Sequence, residues 1–203
     1  MLKDFLKHYE SKGEIILSKL KEFEYVHEEG DWFEEMTFCV FAANSSAEMG
    51  LKAVELLRGS DGSLEDYKKR VGGKVRFYNK RSEYLHYNKE LLKKFKDLKT
   101  VLKGIDDFYE RRRFLVDNFK GFGFKEASHF LRNVGYKGYC IIDKHILRLM
   151  KELGVFETDK PPKNEKEYYE YERLMKKFVE ENGLDVDVLD LALWSYATGK
   201  IIK

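Results

Sequence analysis

The sequence predicts an all-α protein, and three observations carry that prediction. Apolar residues recur at helical spacing in separate places: Phe33, Met36, Val40 and Phe41; Phe124, Ala127, Leu131 and Val134; Ile142, Ile146, Leu149, Met150 and Leu153. No stretch alternates apolar and polar residues as a half-buried strand would. Helix punctuation is frequent, with Ser, Asp and Asn ahead of periodic stretches and Gly behind them.

The elements follow in order. Ser45 or Ser46 ahead of Ala47-Glu48-Met49 gives a helix start with capping chemistry. The Gly59-Ser60-Asp61-Gly62 run breaks the chain. Residues 74–96 then read as one long helix rich in Tyr and Lys, and 97–104 as a connection. A helix over 108–119 leads into Lys120-Gly121-Phe122-Gly123, and a second helix runs over 124–134. Pro161-Pro162-Lys163-Asn164 is a linker whose asparagine caps a helix running towards Glu181 and closed by Gly183. Residues 187–197 form a last, largely apolar helix. There is no internal repeat.

With 203 residues the chain is long enough for one sizeable core or for two small lobes sharing a cleft. Aromatic content of 15%, with 13 Tyr and 15 Phe, supplies a packed interior and argues against disorder. The formal net charge is only +2, so charge alone neither identifies nor excludes a nucleic-acid partner. Cys39 and Cys140 lie in apolar stretches without CxxC spacing, as expected of buried, reduced thiols in a cytoplasmic protein. Two cysteines exclude a four-cysteine iron–sulfur or zinc site, and five scattered His residues offer no metal partners. No apolar run is long enough to span a membrane, and the first residues mix acids and bases without a secretory block. Lys and Glu dominate and Gln is absent, a thermophile-leaning alphabet.

The most informative segment is Phe119 to Ser128 followed by Ile142-Asp143-Lys144-His145. Gly121 and Gly123 flank Phe122, so the turn can adopt positive φ while Phe122 buries itself between two helices. Amides at the start of the second helix then face outward as an anion site suited to a DNA backbone. A bare GxG is more often an ordinary helix–helix turn; the surrounding Leu115, Ala127 and Leu131 favour the backbone-binding reading.

Lys125 stands near the start of that second helix. A lysine there is expected to be desolvated and set against the helix macrodipole, which favours the neutral amine a nucleophile needs. Asp143 precedes Lys144-His145-Ile146-Leu147, where capping is the commonest role of an aspartate. A capping carboxylate stays ionised and can also stabilise a sugar cation or help activate Lys125. His145 reads as structural support for that turn. Arg76-Phe77-Tyr78-Asn79-Lys80-Arg81 interleaves cations with rings, which serves either an extruded base and its phosphates or a plain snorkelling helix face. Trp194 is a further candidate stacking ring, although core is the commoner place for a tryptophan.

Gly121-Phe122-Gly123-Phe124-Lys125-Glu126-Ala127-Ser128-His129-Phe130-Leu131-Arg132-Asn133, then Ile142 to Leu147, resembles the helix-hairpin-helix DNA glycosylase superfamily with its downstream aspartate. The segment 38–47 and the tail from Trp194 through Gly199-Lys200-Ile201-Ile202-Lys203 resemble the type-2 8-oxoguanine DNA glycosylase/AP lyase subfamily, over nearly the whole chain. That resemblance implies two lobes, residues 30–134 and residues 1–29 with 135–203, and a cleft that receives a flipped 8-oxoguanine. It implies Lys125 as Schiff-base nucleophile, Asp143 as the essential carboxylate, and Phe77, Trp194 and Lys203 in the base pocket. Asn44 matches the position whose side chain approaches DNA.

No metal and no cofactor are implied. The expected partner is double-stranded DNA containing 8-oxoguanine, met by a monomer in the prokaryotic cytoplasm at the nucleoid. The alternatives are a non-catalytic helix-hairpin-helix DNA-binding module, or a glycosylase for another oxidised base such as a pyrimidine.

Overall fold

The structure, a computed structural model, describes residues 1–95 and 97–202. Among these there are eleven α-helices and no strand. The chain divides into two compact units, Asp31–Phe130 and a discontinuous one built from Met1–Gly30 and Leu131–Lys203.

The central unit holds α2 (Trp32–Ala42), α3 (Ala47–Leu57), α4 (Leu64–Val71), α5 (Tyr78–Leu92), α6 (Leu98–Lys103) and α7 (Phe108–Asn118), and it ends within α8 (Phe124–Asn133). Met36, Phe38, Phe41, Leu85, Leu102 and Leu115 are at most 0% exposed and form its centre. Phe122 sits among the rings of Phe119 and Phe130, with centroids 6.1 and 5.7 Å away, so the hairpin turn is pinned by its own aromatic residue.

The discontinuous unit holds α1 (Leu2–Glu29), the end of α8, α9 (Lys144–Glu152), α10 (Glu165–Glu181) and α11 (Val186–Thr198). Buried Phe5, Ile16 and Phe23 are spaced eleven and seven residues apart, so they line one stripe of α1. The helix is held to α11 by His8 Nε2 to Ser195 Oγ at 3.1 Å and by Phe5 meeting Tyr196 edge-on. Tyr9 Oη accepts the Asp185 amide at 2.9 Å.

Helix starts follow side-chain chemistry. Ser46 accepts from the Met49 amide, Asn164 from Glu167, and Asp185 from Asp187 and Val188. Each such cap is worth about 1 kcal/mol.

Two sequence expectations are corrected. The long helix read over 74–96 begins only at Tyr78 and ends at Leu92, and its Lys96 limit lies outside the described residues. Gly73 at φ 66° and Phe77 at φ 57° are left-handed, so neither can continue a right-handed helix. The connection read over 97–104 is the short helix α6, started by Asp97, whose carboxylate takes the amides of Lys99 and Thr100. Six residues are too few to show a helical period.

Candidate active site

The site begins with the turn at residues 120–123. Gly121 has φ 83°, and a Cβ there would meet the Tyr84 ring at 3.0 Å, so both conformation and space require glycine. The positive φ expected of the turn is at Gly121, and Gly123 does not share that conformation. Its place is at the helix start, where its carbonyl accepts the Ala127 amide at 2.9 Å and its own amide reaches Glu126 Oε2 at 3.3 Å. Glu126, three residues on, thus closes the first turn of α8 from its side chain.

Lys125 is the second residue of α8. Its Nζ lies 2.9 Å from Glu126 Oε1, and its side chain is 30% exposed. The desolvated amine expected from the sequence is therefore a partly solvated member of an ion pair. Glu126 holds the hairpin amide with one oxygen and the lysine with the other.

Asn44 and Phe77 are also in the central unit, both exposed, and both are left-handed without being glycine. Buried Arg81 ties them together. It donates to the carbonyls of Phe41, at 2.5 Å, and Ala43, and its guanidinium lies 5.2 Å from the Phe77 ring centroid. Arg76 covers the same ring at 4.7 Å. The carbonyls order the chain just before Asn44, and the cations hold an exposed ring without burying it.

Asp143 belongs to the discontinuous unit. Its Oδ1 accepts the amides of His145 and Ile146 at 2.8 and 2.9 Å, as the capping expectation requires. Both bonds fall on one oxygen, and among the described residues Oδ2 takes no hydrogen bond. Capping and a second chemical role therefore occupy different atoms. Trp194, on α11 in the same unit, is partly exposed between buried Leu193 and Ser195. Lys203 lies outside the described residues.

The segment leading to Asp143 was not singled out from sequence. Residues 139–142 are buried and irregular, and their polar backbone is met by side chains. Gly138 N–H donates to Asp187 at 2.8 Å, Cys140 N–H to Glu172 at 3.1 Å, and Ile142 N–H to Tyr168 Oη at 3.4 Å. Asp190 pairs with Arg132 Nη1 at 3.4 Å, both being almost fully buried. Burial pushes the Asp190 carboxyl up to about 6, against the pull of Arg132 and with a further push from Asp143; burial likewise raises Asp187. The available signal was an acid pair three residues apart inside an otherwise apolar helix.

Comparison with known proteins places this arrangement. A family profile described as 8-oxoguanine DNA glycosylase matches residues 16–184. An 8-oxoguanine DNA glycosylase/AP lyase of Methanocaldococcus jannaschii is 37% identical over 98% of this chain and 96% of its own. The protein of the same description from Thermotoga maritima is 38% identical over 100% of this chain and 99% of its own. The crystal structure of the Thermotoga maritima 8-oxoguanine DNA glycosylase superposes with a TM-score of 0.88 at 37% identity, covering 100% of this chain and 98% of that one. That of the Methanocaldococcus jannaschii glycosylase/lyase in complex with a 15mer DNA containing 8-oxoguanine gives 0.85 at 34% identity, covering 100% of both. The fold is that of these DNA glycosylases. The chain belongs to the 8-oxoguanine DNA glycosylase family.

Proposed function

We propose that this protein removes 8-oxoguanine from double-stranded DNA and then cleaves the abasic strand, with Lys125 as nucleophile and Asp143 as the carboxylate that stabilises the reacting sugar. The relatives named above carry the descriptions glycosylase and lyase, and one was crystallised on DNA containing the lesion. The single observation that carries the residue assignment is the position of Lys125, two residues beyond the Gly121–Gly123 turn at the start of α8.

The chemistry follows from those groups. DNA backbone docks at the hairpin and the damaged base leaves the stack, which costs a few kcal/mol. The Lys125 ammonium must first shed a proton, and Glu126 Oε1 is within reach at 2.9 Å. The amine lone pair then bonds C1′ as the C1′–N9 bond breaks, and the base leaves with that electron pair and acquires a proton. Asp143 Oδ2 offsets the positive charge that develops on the sugar. Opening of the C1′–O4′ bond gives an imine. Loss of a C2′ proton then expels the 3′ phosphate and cuts the strand.

Phe77 and Trp194 are assigned to the base pocket and Asn44 to the DNA side. The acting species is a single chain in the prokaryotic cytoplasm, with the nucleoid as its substrate. Borohydride added during turnover on an 8-oxoguanine duplex should trap a covalent protein–DNA complex. Lys125→Gln should abolish trapping and cleavage while leaving lesion-DNA affinity within roughly threefold. Trapping that persists in this variant would remove Lys125 from the mechanism, and a wild-type protein that binds without ever trapping would be a binding module.

A further inference from the structure

Phe77 is a left-handed phenylalanine, at φ 57°, whose ring is 52% exposed. A side chain makes that backbone costly, and burial does not offset the cost here. A residue so placed persists only where its surroundings over-determine it. Arg81, in the first turn of α5, holds it twice. Its backbone amide donates to the Phe77 carbonyl at 3.1 Å, and its guanidinium stands 5.2 Å from the ring centroid. The same guanidinium reaches the end of α2, where the last carbonyls have no partner within the helix and carry the negative end of its dipole. It donates there to Phe41, at 2.5 Å, and to Ala43, and Asn44 follows directly at φ 48°.

A left-handed asparagine is an ordinary way to stop a helix, so the conformation of Asn44 alone says little. One side chain that fixes both Asn44 and Phe77 says more. Arg81 is 5% exposed, and among the described residues no carboxylate bonds to it. The dipole of α2 supplies the negative partner that a buried cation needs. We propose that Arg81 is a positioning residue for base removal, clamping the end of α2 to the start of α5 so that Asn44 and Phe77 meet the DNA as one rigid pair. This rests on the reading of Phe77 as part of the base pocket and of Asn44 as a DNA-side residue. Loosening the pair misplaces the damaged base and lowers the rate of its removal. At an abasic site there is no base to hold, so cleavage by Lys125 depends little on the clamp.

The test compares single-turnover base removal from an 8-oxoguanine duplex with strand cleavage of a duplex carrying a preformed abasic site. The variants are Arg81→Met, which keeps the length and removes the donors and the charge, Phe77→Leu with Asn44→Ala, and all three substitutions together. Arg81→Met should lower base removal about a hundredfold and leave abasic cleavage within about threefold. Added to the Phe77→Leu, Asn44→Ala variant, it should cost less than about threefold more, because the residues it acts through are gone.

A folded Arg81→Met protein that removes the base at the wild-type rate overturns the proposal. So does one that loses both activities alike, or whose full loss is added on top of the double variant, since a general loss of structure gives either result. If Phe77→Leu with Asn44→Ala removes the base normally, the assignment of those two residues fails and the inference with it. If that variant is slow and Arg81→Met is not, the role of Arg81 alone fails. Should Arg81→Met not fold, Arg81→Lys decides, because it keeps the charge but cannot reach two carbonyls with a planar fork. A loss confined to base removal supports the clamp, and an equal loss or none on the two substrates overturns it.

Discussion

Asn88 and Lys120 hold each other by a reciprocal pair of hydrogen bonds. The Asn88 side-chain amide donates to the Lys120 carbonyl at 3.0 Å, and the Lys120 amide donates back to Asn88 Oδ1 at 2.8 Å. A fully buried side chain in α5 thereby satisfies the backbone at the entrance to the hairpin turn. The turn is thus fixed from the third helix before it, as well as by its own sequence.

Asn88→Ala removes both bonds and strands two backbone groups. Each unsatisfied group costs about 1–3 kcal/mol, with the lower end applying where solvent can enter. Urea denaturation should show a loss of about 2 kcal/mol. Affinity for undamaged duplex should fall with it, because the turn is no longer held in one conformation.

Gly121→Ala should be worse than Gly123→Ala. An alanine at φ 83° bears a left-handed penalty of about 1–2 kcal/mol, and its Cβ meets the Tyr84 ring at 3.0 Å. At Gly123 the nearest atom is the mobile carboxylate of Glu126 at 3.2 Å, so stability should hardly change. Thermal melting of the two variants side by side distinguishes them.

Glu126→Gln retains an oxygen for the Gly123 amide and removes the charge that pairs with Lys125. The pair is partly solvated, so stability should move by less than about 1 kcal/mol. One fewer negative charge beside the hairpin should tighten binding to undamaged DNA a few-fold, read by fluorescence anisotropy at low salt. Weaker binding would mean that the carboxylate, and with it the turn, is ordered by its charge.

Stability should fall as pH rises from about 4 to 7. Asp190 has its carboxyl raised from 3.8 to about 6, and Asp187 is raised too. A raised carboxyl favours the folded state fully below its unfolded value, and that contribution disappears as pH passes the folded one. Asp190 alone accounts for up to roughly 3 kcal/mol. Exposed carboxylates such as Asp61 and Asp159 are lowered by their partners and act in the opposite window, below about pH 4. Urea midpoints at pH 5 and 7 check this, with Asp190→Asn expected to flatten the difference.

Much of the site was legible in the sequence because it is local. A capping aspartate, a turn glycine and a helix-start lysine declare themselves within four residues, and Asp143, Gly121 and Lys125 occupy those positions. Asn164 and Ser46 cap where their spacing required. What escaped was set by distant partners. Glu126 beside Lys125 changed the expected surroundings of the amine, and only coordinates show which way that carboxylate turns. Phe77 broke the expected long helix through a left-handed conformation that propensity does not anticipate in phenylalanine. The carboxylates under residues 138–142 come from 30 to 50 positions downstream, beyond any sequence window, although Asp187 and Asp190 in an apolar helix were a visible clue.

His8 meets Ser195 across 187 positions, so α1 finds its partner on α11 only after the residues between them have been made. On a ribosome, α1 emerges and then waits while the whole Asp31–Phe130 unit is synthesised, and that unit can complete its own core first. At about 5–20 residues per second the wait is on the order of ten seconds or more. During it, the stripe of Phe5, Ile16 and Phe23 has no native neighbour. A nascent chain stalled before α11 therefore displays an unsatisfied apolar helix, a natural target for chaperones and proteases.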